Sequence, residues 1–216
     1  MNPRIVKLEE SLKSGSRPLR TRVDLVVLHA TAGSSLSGAI ATLRSGGLSY
    51  HFLIDKDGTI VEAAPTSRKA FHAGNSYGPK EKSRRVDPRQ DAQARFLAKT
   101  SVNAYSIGIA FVNRNDGVDP YTPEQKEAIE PLLRLLKEKH KALRYLTTHF
   151  AVSPKRKTDP RGFPYESLAG RVGLIAWPCR SCPQNCGTFG NIRREFLIEC
   201  KERSEGEVLW PNSNST

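Results

Sequence analysis

The sequence lacks any apolar run long enough to cross a bilayer, which takes roughly 18 consecutive residues, and it has little sulfur. Met occurs once, and all four cysteines lie beyond residue 178. A disulfide scaffold is therefore excluded for most of the chain. The basic segment before Val23 also lacks the apolar core of a secretory signal. These absences predict a protein that is cytoplasmic as synthesised, with no membrane insertion.

Acidic residues are also scarce relative to basic ones. The 216 residues include 22 Asp and Glu against 34 Lys and Arg, a formal net charge of +12. This balance favours an anionic partner, such as nucleic acid, a phospholipid surface or a bacterial envelope polymer. Single-stranded nucleic-acid binders stack bases on aromatic residues placed among basic ones, whereas the basic stretch 68–99 has only three Phe and Tyr residues. We therefore expect no nucleic-acid partner.

The apolar residues, 38% of the chain, fall into short segments with the periodicity of strands and helices. Val23–Leu28 and Ser106–Val112 are typical of buried strands, and Asp57-Gly58 is typical of a hairpin turn. Thr122-Pro123-Glu124-Gln125 combines a capping box with proline at the first helical position, which predicts a helix start. The order of these segments predicts a mixed α/β domain over residues 20–170.

The chain is expected to have three parts. Residues 1–21 are polar and basic and predict a loosely held N-terminal arm. Residues 22–170 form the main domain, and residues 171–216 form a small Cys-containing C-terminal extension. The spacing of the cysteines suits a second, structural metal site, with two disulfides or four free thiols as the alternatives. The four residues are Cys179, Cys182, Cys186 and Cys200.

Two histidines each follow a predicted buried strand directly. These are His29 and His149, and Asp159 comes ten residues after the second of them. Two imidazoles and one carboxylate leave an open position on a tetrahedral Zn²⁺, which is the pattern of a catalytic zinc site. The alternative is that each histidine is a half-buried side chain satisfied by a backbone carbonyl.

Five parts of the chain contain motifs that occur in the same order in a known family. They are Val26–Gly33, Tyr50–Gly58, Phe71–Gly74, Ser106–Ile109, and Thr148–Pro154 with Arg156–Phe163. Together they resemble the zinc-dependent N-acetylmuramoyl-L-alanine amidases of the type-2 amidase and peptidoglycan-recognition-protein superfamily. The resemblance extends from about Val23 to Leu168 and therefore covers most of the sequence.

The resemblance implies a central mixed β-sheet flanked by helices, and a Zn²⁺ ion held by His29, His149 and Asp159. Such an ion polarises the scissile amide carbonyl and lowers the pKa of its water. Lys157 matches a family lysine that stabilises the developing oxyanion. The alternative for Lys157 is an ordinary solvated lysine in a basic run.

The family pattern also suggests residues that contact the substrate or the attacking water. Many members carry glutamate as general base directly after Ser-Ile-Gly-Ile, where this chain has Ala110. Branches without that glutamate use a tyrosine that Tyr50 matches, so Tyr50 is expected to position the water, unless its ring only packs on the sheet. His72 is expected beside the substrate groove, and Thr158 is expected to bond the peptide stem.

The implied activity is hydrolysis of the amide bond between the lactyl group of N-acetylmuramic acid and L-alanine of the stem peptide. The expected partner is therefore peptidoglycan. The missing signal fits a monomeric phage or prophage endolysin, a bacteriolytic and antimicrobial enzyme that reaches the cell wall after release. A cytosolic muropeptide-recycling amidase and a non-catalytic peptidoglycan-binding module are the alternatives.

Overall fold

The structure is a computed structural model that describes residues 3–76, 78, 101–153 and 156–177. A short 3₁₀ turn, Val102–Ala104, lies within these ranges. The strands and helices in chain order are β1 (Ile5–Lys7), β2 (Ser14–Gly15), β3 (Leu25–Ala30), α1 (Leu36–Gly46), β4 (Phe52–Ile54), β5 (Ile60–Glu62), β6 (Lys69–Ala70), β7 (Ser106–Phe111), α2 (Pro123–Lys139), β8 (Tyr145–Thr148), α3 (His149–Val152), α4 (Tyr165–Arg171) and β9 (Ile175–Ala176).

Seven of the described strands form one mixed sheet in the order β1-β5-β4-β7-β3-β8-β9. Strands β4, β7, β3 and β8 run parallel to one another, whereas β5 runs antiparallel to β4. One face of the sheet packs against α2 and α4, and the other packs against α1. The prediction of a central mixed sheet flanked by helices is therefore confirmed.

Alternation along the central strands separates the core face from the face that carries polar residues. Val26 and Leu28 of β3 join the cluster beneath α2, whereas Leu25 and Val27 join a cluster on the opposite face. Because successive side chains of a strand point to opposite faces, His29 shares the face of Leu25 and Val27. By the same rule Ser106, Gly108 and Ala110 of β7 lie on this second face, since the residues between them belong to the cluster under α2.

Helix α2 begins where its sequence predicts. The Thr122 side chain accepts a hydrogen bond from the backbone of Gln125, and the Gln125 side chain bonds the backbone of Thr122 in return. Its apolar stripe is buried against the sheet and contains Ile129, Leu132, Leu133 and Leu136. The predicted hairpin is confirmed as well, since β4 and β5 pair across the Asp57-Gly58 turn.

The N-terminal segment is more firmly attached than its composition predicts. Strand β1 adds to the sheet in parallel with β5, and β2 pairs with β6. Arg17 lies against the domain and donates hydrogen bonds to four backbone carbonyls. The expectation of a loosely held arm is therefore wrong for residues 5–17. Composition could not indicate these contacts, because the bonding partners lie far along the chain. The carbonyls that accept from Arg17 belong to Thr66, Asn103, Ala104 and Ser106.

Two predicted features lie outside the described residues. One is the site formed by the four cysteines beyond residue 178, and the other is most of the basic stretch 68–99. Among the helices that are described, none has the length and apolar character of a membrane span.

Candidate metal centre

The predicted ligands lie at the carboxyl-terminal ends of parallel strands, the edge at which sites in α/β sheets are usually built. His29 is the penultimate residue of β3, and His149 begins α3 directly after β8. The Thr148 side chain caps α3 by accepting from the backbone N–H of Ala151 at 3.1 Å. Asp159 returns to the same edge because its carbonyl accepts the Phe150 N–H at 2.8 Å.

The three side chains meet in one buried group. Asp159 Oδ2 lies 3.1 Å from His149 Nδ1 and 3.4 Å from His29 Nδ1. Two ligands of a tetrahedral zinc ion, each about 2.0–2.1 Å from the metal, stand roughly 3.3 Å apart. The two distances from Asp159 match that spacing. The group His29, His149 and Asp159 could therefore hold a metal ion.

The electrostatics of the group suit a cation. His29 Nδ1 is buried and has no hydrogen-bond partner among the described residues. An unpaired buried polar atom costs folding free energy unless a bound ion or molecule contacts it. Burial, with a smaller effect of His149, lowers the pKa of His29 to about 4, so its ring is neutral at pH 7. Burial alone would raise the pKa of Asp159, but contacts with His149 and His29 outweigh it and keep the carboxylate ionised.

Tyr50 and His72 contact the ring of His29 from other elements. Tyr50 lies just before β4 in the sequence, and its ring centroid is 4.8 Å from that of His29. Burial raises the pKa of Tyr50, and the charge of Asp159 adds to this effect, so the phenol keeps its proton. His72 Nδ1 lies 3.0 Å from His29 Nε2. His72 thus lies against a predicted ligand as well as beside the cavity.

A cavity of about 290 Å³ opens beside the group and brings together all seven residues predicted for the main site except His29. Arg156 and Lys157 give its rim positive charge. Lys157 and Thr158 are exposed, and Thr158 Oγ1 accepts a hydrogen bond from Asn115 Nδ2 at 3.0 Å. The predicted residues in its lining are Tyr50, His72, His149, Lys157, Thr158 and Asp159.

Several residues of the site were not anticipated from the sequence. Asn115 and Arg156 line the cavity, and Ser106 Oγ lies 3.1 Å from His72 Nε2. The sequence signal for Ser106 is the Ser-Ile-Gly-Ile motif that it begins, although the family resemblance assigns a role only to the position after this motif. That position, Ala110, pairs in register with His29 and is fully buried.

Residues 19–162 match the family described as N-acetylmuramoyl-L-alanine amidase, Amidase_2. The chain therefore belongs to the Amidase_2 family.

Individual relatives agree with this assignment. The 1,6-anhydro-N-acetylmuramyl-L-alanine amidase AmpD of Enterobacter cloacae is 30% identical over 116 residues, which are 52% of this chain and 50% of AmpD. The chain thus spans about half the length of the curated relatives it matches.

Solved structures show the same fold. AmiD of E. coli, determined with its substrate anhydro-N-acetylmuramic acid-L-Ala-D-γ-Glu-L-Lys, is 26% identical with a TM-score of 0.57, covering 76% of this chain and 63% of AmiD. The amidase LysC of Clostridium intestinale URNW is 25% identical with a TM-score of 0.55, covering 80% of this chain and 99% of LysC.

Proposed function

We propose that this protein is a zinc-dependent peptidoglycan amidase that hydrolyses the amide bond between the lactyl group of N-acetylmuramic acid and L-alanine of the stem peptide. The observation that carries the proposal is the buried His29, His149 and Asp159 group beside a basic cavity. Membership of the Amidase_2 family supports it, as do AmpD and AmiD, whose names describe this class of amidase.

The donor set suits zinc. Neutral imidazole nitrogens and a carboxylate are ligands that Zn²⁺ accepts, and three protein ligands leave one position open for chemistry. Zn²⁺ bound there would polarise the scissile carbonyl and lower the pKa of a water molecule. The low pKa values of His29 and Asp159 keep both side chains in the forms that bind a cation at neutral pH.

Three residues around the cavity are proposed to act on the substrate. Lys157 and Thr158 precede Asp159 directly and share its cavity, so a carbonyl near Asp159 is within reach of the Lys157 ammonium. We assign Lys157 to the oxyanion, because a fixed cation stabilises negative charge that develops in the transition state. Thr158 bonds the peptide stem. Tyr50 keeps its phenolic proton and holds the attacking water.

Two cellular roles are compatible with this activity. An endolysin role is supported by the absence of a carboxylate at Ala110. A muropeptide-recycling role is supported by the identity with AmpD. The rates on intact peptidoglycan and on a soluble 1,6-anhydromuropeptide separate them, since a lysin prefers the polymer and a recycling enzyme prefers the soluble fragment.

Zinc dependence is tested by removing the metal and then a ligand. Metal-free protein is titrated with Zn²⁺ while the release of L-alanine amino termini from peptidoglycan is measured. We expect activity to return as the site formed by His29, His149 and Asp159 takes up one zinc, and Asp159→Ala and His149→Ala to abolish it. His140→Ala is the matched control, because His140 follows the last residue of α2 and bonds the Thr66 side chain rather than one of the three proposed ligands.

The same experiment distinguishes a binding module from an enzyme. A non-catalytic module sediments with peptidoglycan but releases no amino termini at any zinc concentration. That result would overturn the proposed activity.

A further inference from the structure

Three side chains form a continuous hydrogen-bonded chain behind the metal group. Ser106 Oγ lies 3.1 Å from His72 Nε2, and His72 Nδ1 lies 3.0 Å from His29 Nε2. All three side chains are buried, on β7, on the segment after β6 and on β3. These hydrogen bonds therefore connect the Ser106–Ile109 and Phe71–Gly74 motifs to Nε2 of His29, the ring nitrogen that does not face Asp159.

The hydrogen atoms in this chain can be assigned from its outer end. Ser106 Oγ lies 2.7 Å from the carbonyl oxygen of Val102. A carbonyl can only accept, so the single hydroxyl hydrogen of Ser106 points to Val102. The same oxygen must then accept from His72, which places a hydrogen on His72 Nε2.

The hydrogen positions between His72 and His29 follow from the chemistry of a neutral imidazole, which has one donor and one acceptor nitrogen. With its hydrogen on Nε2, His72 accepts at Nδ1, and His29 Nε2 must be the donor. His29 then carries its lone pair on Nδ1, the atom that lies 3.4 Å from Asp159 Oδ2 and has no hydrogen-bond partner among the described residues.

We propose that Ser106 and His72 are positioning residues that hold His29 in the Nε2–H tautomer and so present its Nδ1 lone pair to the metal. This inference rests on the metal site of the proposed function. It gives His72 a role different from substrate contact, because both of its ring nitrogens are engaged within the protein and its residue is only 7% exposed.

The strand and loop around His72 are shaped to hold its ring in place. A Cβ atom added to Gly108 would lie 2.6 Å from His72 Cγ, so only glycine lets the ring lie against β7. Asn103 Oδ1 accepts from the backbone N–H of Ala73 at 2.9 Å and of His72 at 3.3 Å. The position of the ring is therefore fixed from two sides, independently of any metal.

The tautomers can be measured directly in metal-free protein by long-range ¹H–¹⁵N correlation spectra of the histidine rings. We expect His29 and His72 both to carry hydrogen on Nε2. His51 is an internal reference, since Gly108 N–H donates to its Nδ1 at 3.0 Å and its Nε2 faces the Arg68 carbonyl at 3.0 Å. A hydrogen on His29 Nδ1 would overturn the proposal.

Zinc affinity provides a second readout, measured by competition with a chromophoric chelator. His72→Phe keeps the ring volume but removes the acceptor, and we expect zinc binding 10- to 100-fold weaker, the usual effect of losing a group that orients a metal ligand. His72→Asn retains an acceptor oxygen near the Nδ1 position and should recover most of the affinity. Ser106→Ala should raise the Nδ1–H population of His29.

His51→Phe is the matched control, because His51 is equally buried and its ring nitrogens bond Gly108, Arg68 and Arg17 rather than a proposed metal ligand. It should lose stability while keeping wild-type zinc affinity. Equal losses of affinity in His51→Phe and His72→Phe, or none in His72→Phe, would overturn the proposal. Failure of the wild-type protein to bind zinc would instead refute the proposed function, and the tautomer measurement would still stand by itself.

Discussion

The reactive side chains of this site differ sharply in how deeply they lie. His29 is fully buried, whereas Lys157 is exposed two residues from the buried Asp159. In the proposed function, this arrangement places the residues that bind the cation away from water and the residue that contacts substrate at the cavity rim. Ligands kept away from water stay neutral or paired, while a lysine at the cavity rim can approach a carbonyl that enters from solvent.

Lys157→Met should therefore lower the rate of hydrolysis without changing metal binding. We expect the turnover number to fall by roughly 10²- to 10³-fold, the effect of removing one group that stabilises an oxyanion. Steady-state kinetics on a soluble muropeptide, together with a zinc titration, measure both effects. Lys139→Met, at the exposed end of α2, is the control. A tenfold loss of zinc affinity in Lys157→Met would contradict this assignment.

At the residue scale, the sequence predicted the three proposed metal ligands but not the hydrogen bonds made to them by other side chains. His29 and His149 could be singled out because each directly follows a segment that predicts a buried strand. The contact of His29 with His72 joins residues 43 positions apart, and that of His72 with Ser106 joins residues 34 apart. Such pairs depend on how strands align, which periodicity alone does not specify.

At the scale of elements, the sequence predicted those features that depend only on residues close together in the chain. The capping box of α2 and the hairpin of β4 and β5 involve neighbours in sequence. The pairing of β1 with β5 does not, since Ile5 lies opposite Ile60 and the strand has only three residues. A segment this short carries no periodicity of its own, so its composition gave the wrong expectation of a loose arm.

The same segment supplies a stability test at Arg17. Its guanidinium bonds backbone carbonyls on two separate loops, and burial lowers its pKa to about 10, which leaves it charged at pH 7. Arg17→Met should reduce the free energy of unfolding by about 2 kcal/mol, because hydrogen bonds to charged groups contribute more than neutral ones. Urea denaturation measures the change.

Arg22→Met is the control for that experiment, because Arg22 is exposed in the same part of the chain and surface substitutions change stability little. Arg17→Lys should recover only part of the loss, since an ammonium cannot reproduce the planar fork of donors. An unchanged denaturation midpoint in Arg17→Met would show that the N-terminal segment does not depend on this residue.

At the scale of the whole molecule, buried histidines make stability depend on pH. Burial lowers the pKa of His51 to about 3, below its ordinary value of about 6.5. The unfolded chain therefore takes up the proton first as the pH falls. The stabilising effect is complete above about pH 6.5 and is lost progressively towards pH 3.

Metal-free protein should accordingly be less stable at pH 5 than at pH 7, with a contribution of about 2 kcal/mol from His51. His29 and His72, whose pKa values burial also lowers, act in the same direction. Urea unfolding at the two pH values measures the loss, and His51→Gln should reduce the difference by its share. An equal difference in wild-type and His51→Gln protein would refute this origin.

Digestion of purified peptidoglycan in H₂¹⁸O, followed by mass spectrometry of the products, tests the proposed activity most directly. Hydrolysis of the lactyl amide places the water oxygen in the carboxyl group of the muramic acid and leaves the proton on the freed amino group of L-alanine. We predict ¹⁸O in that lactyl carboxyl, peptides with intact N-terminal alanine, and no reaction after chelation of zinc. Label within the peptide or at a sugar carbon, or cleavage that survives chelation, would contradict a zinc amidase.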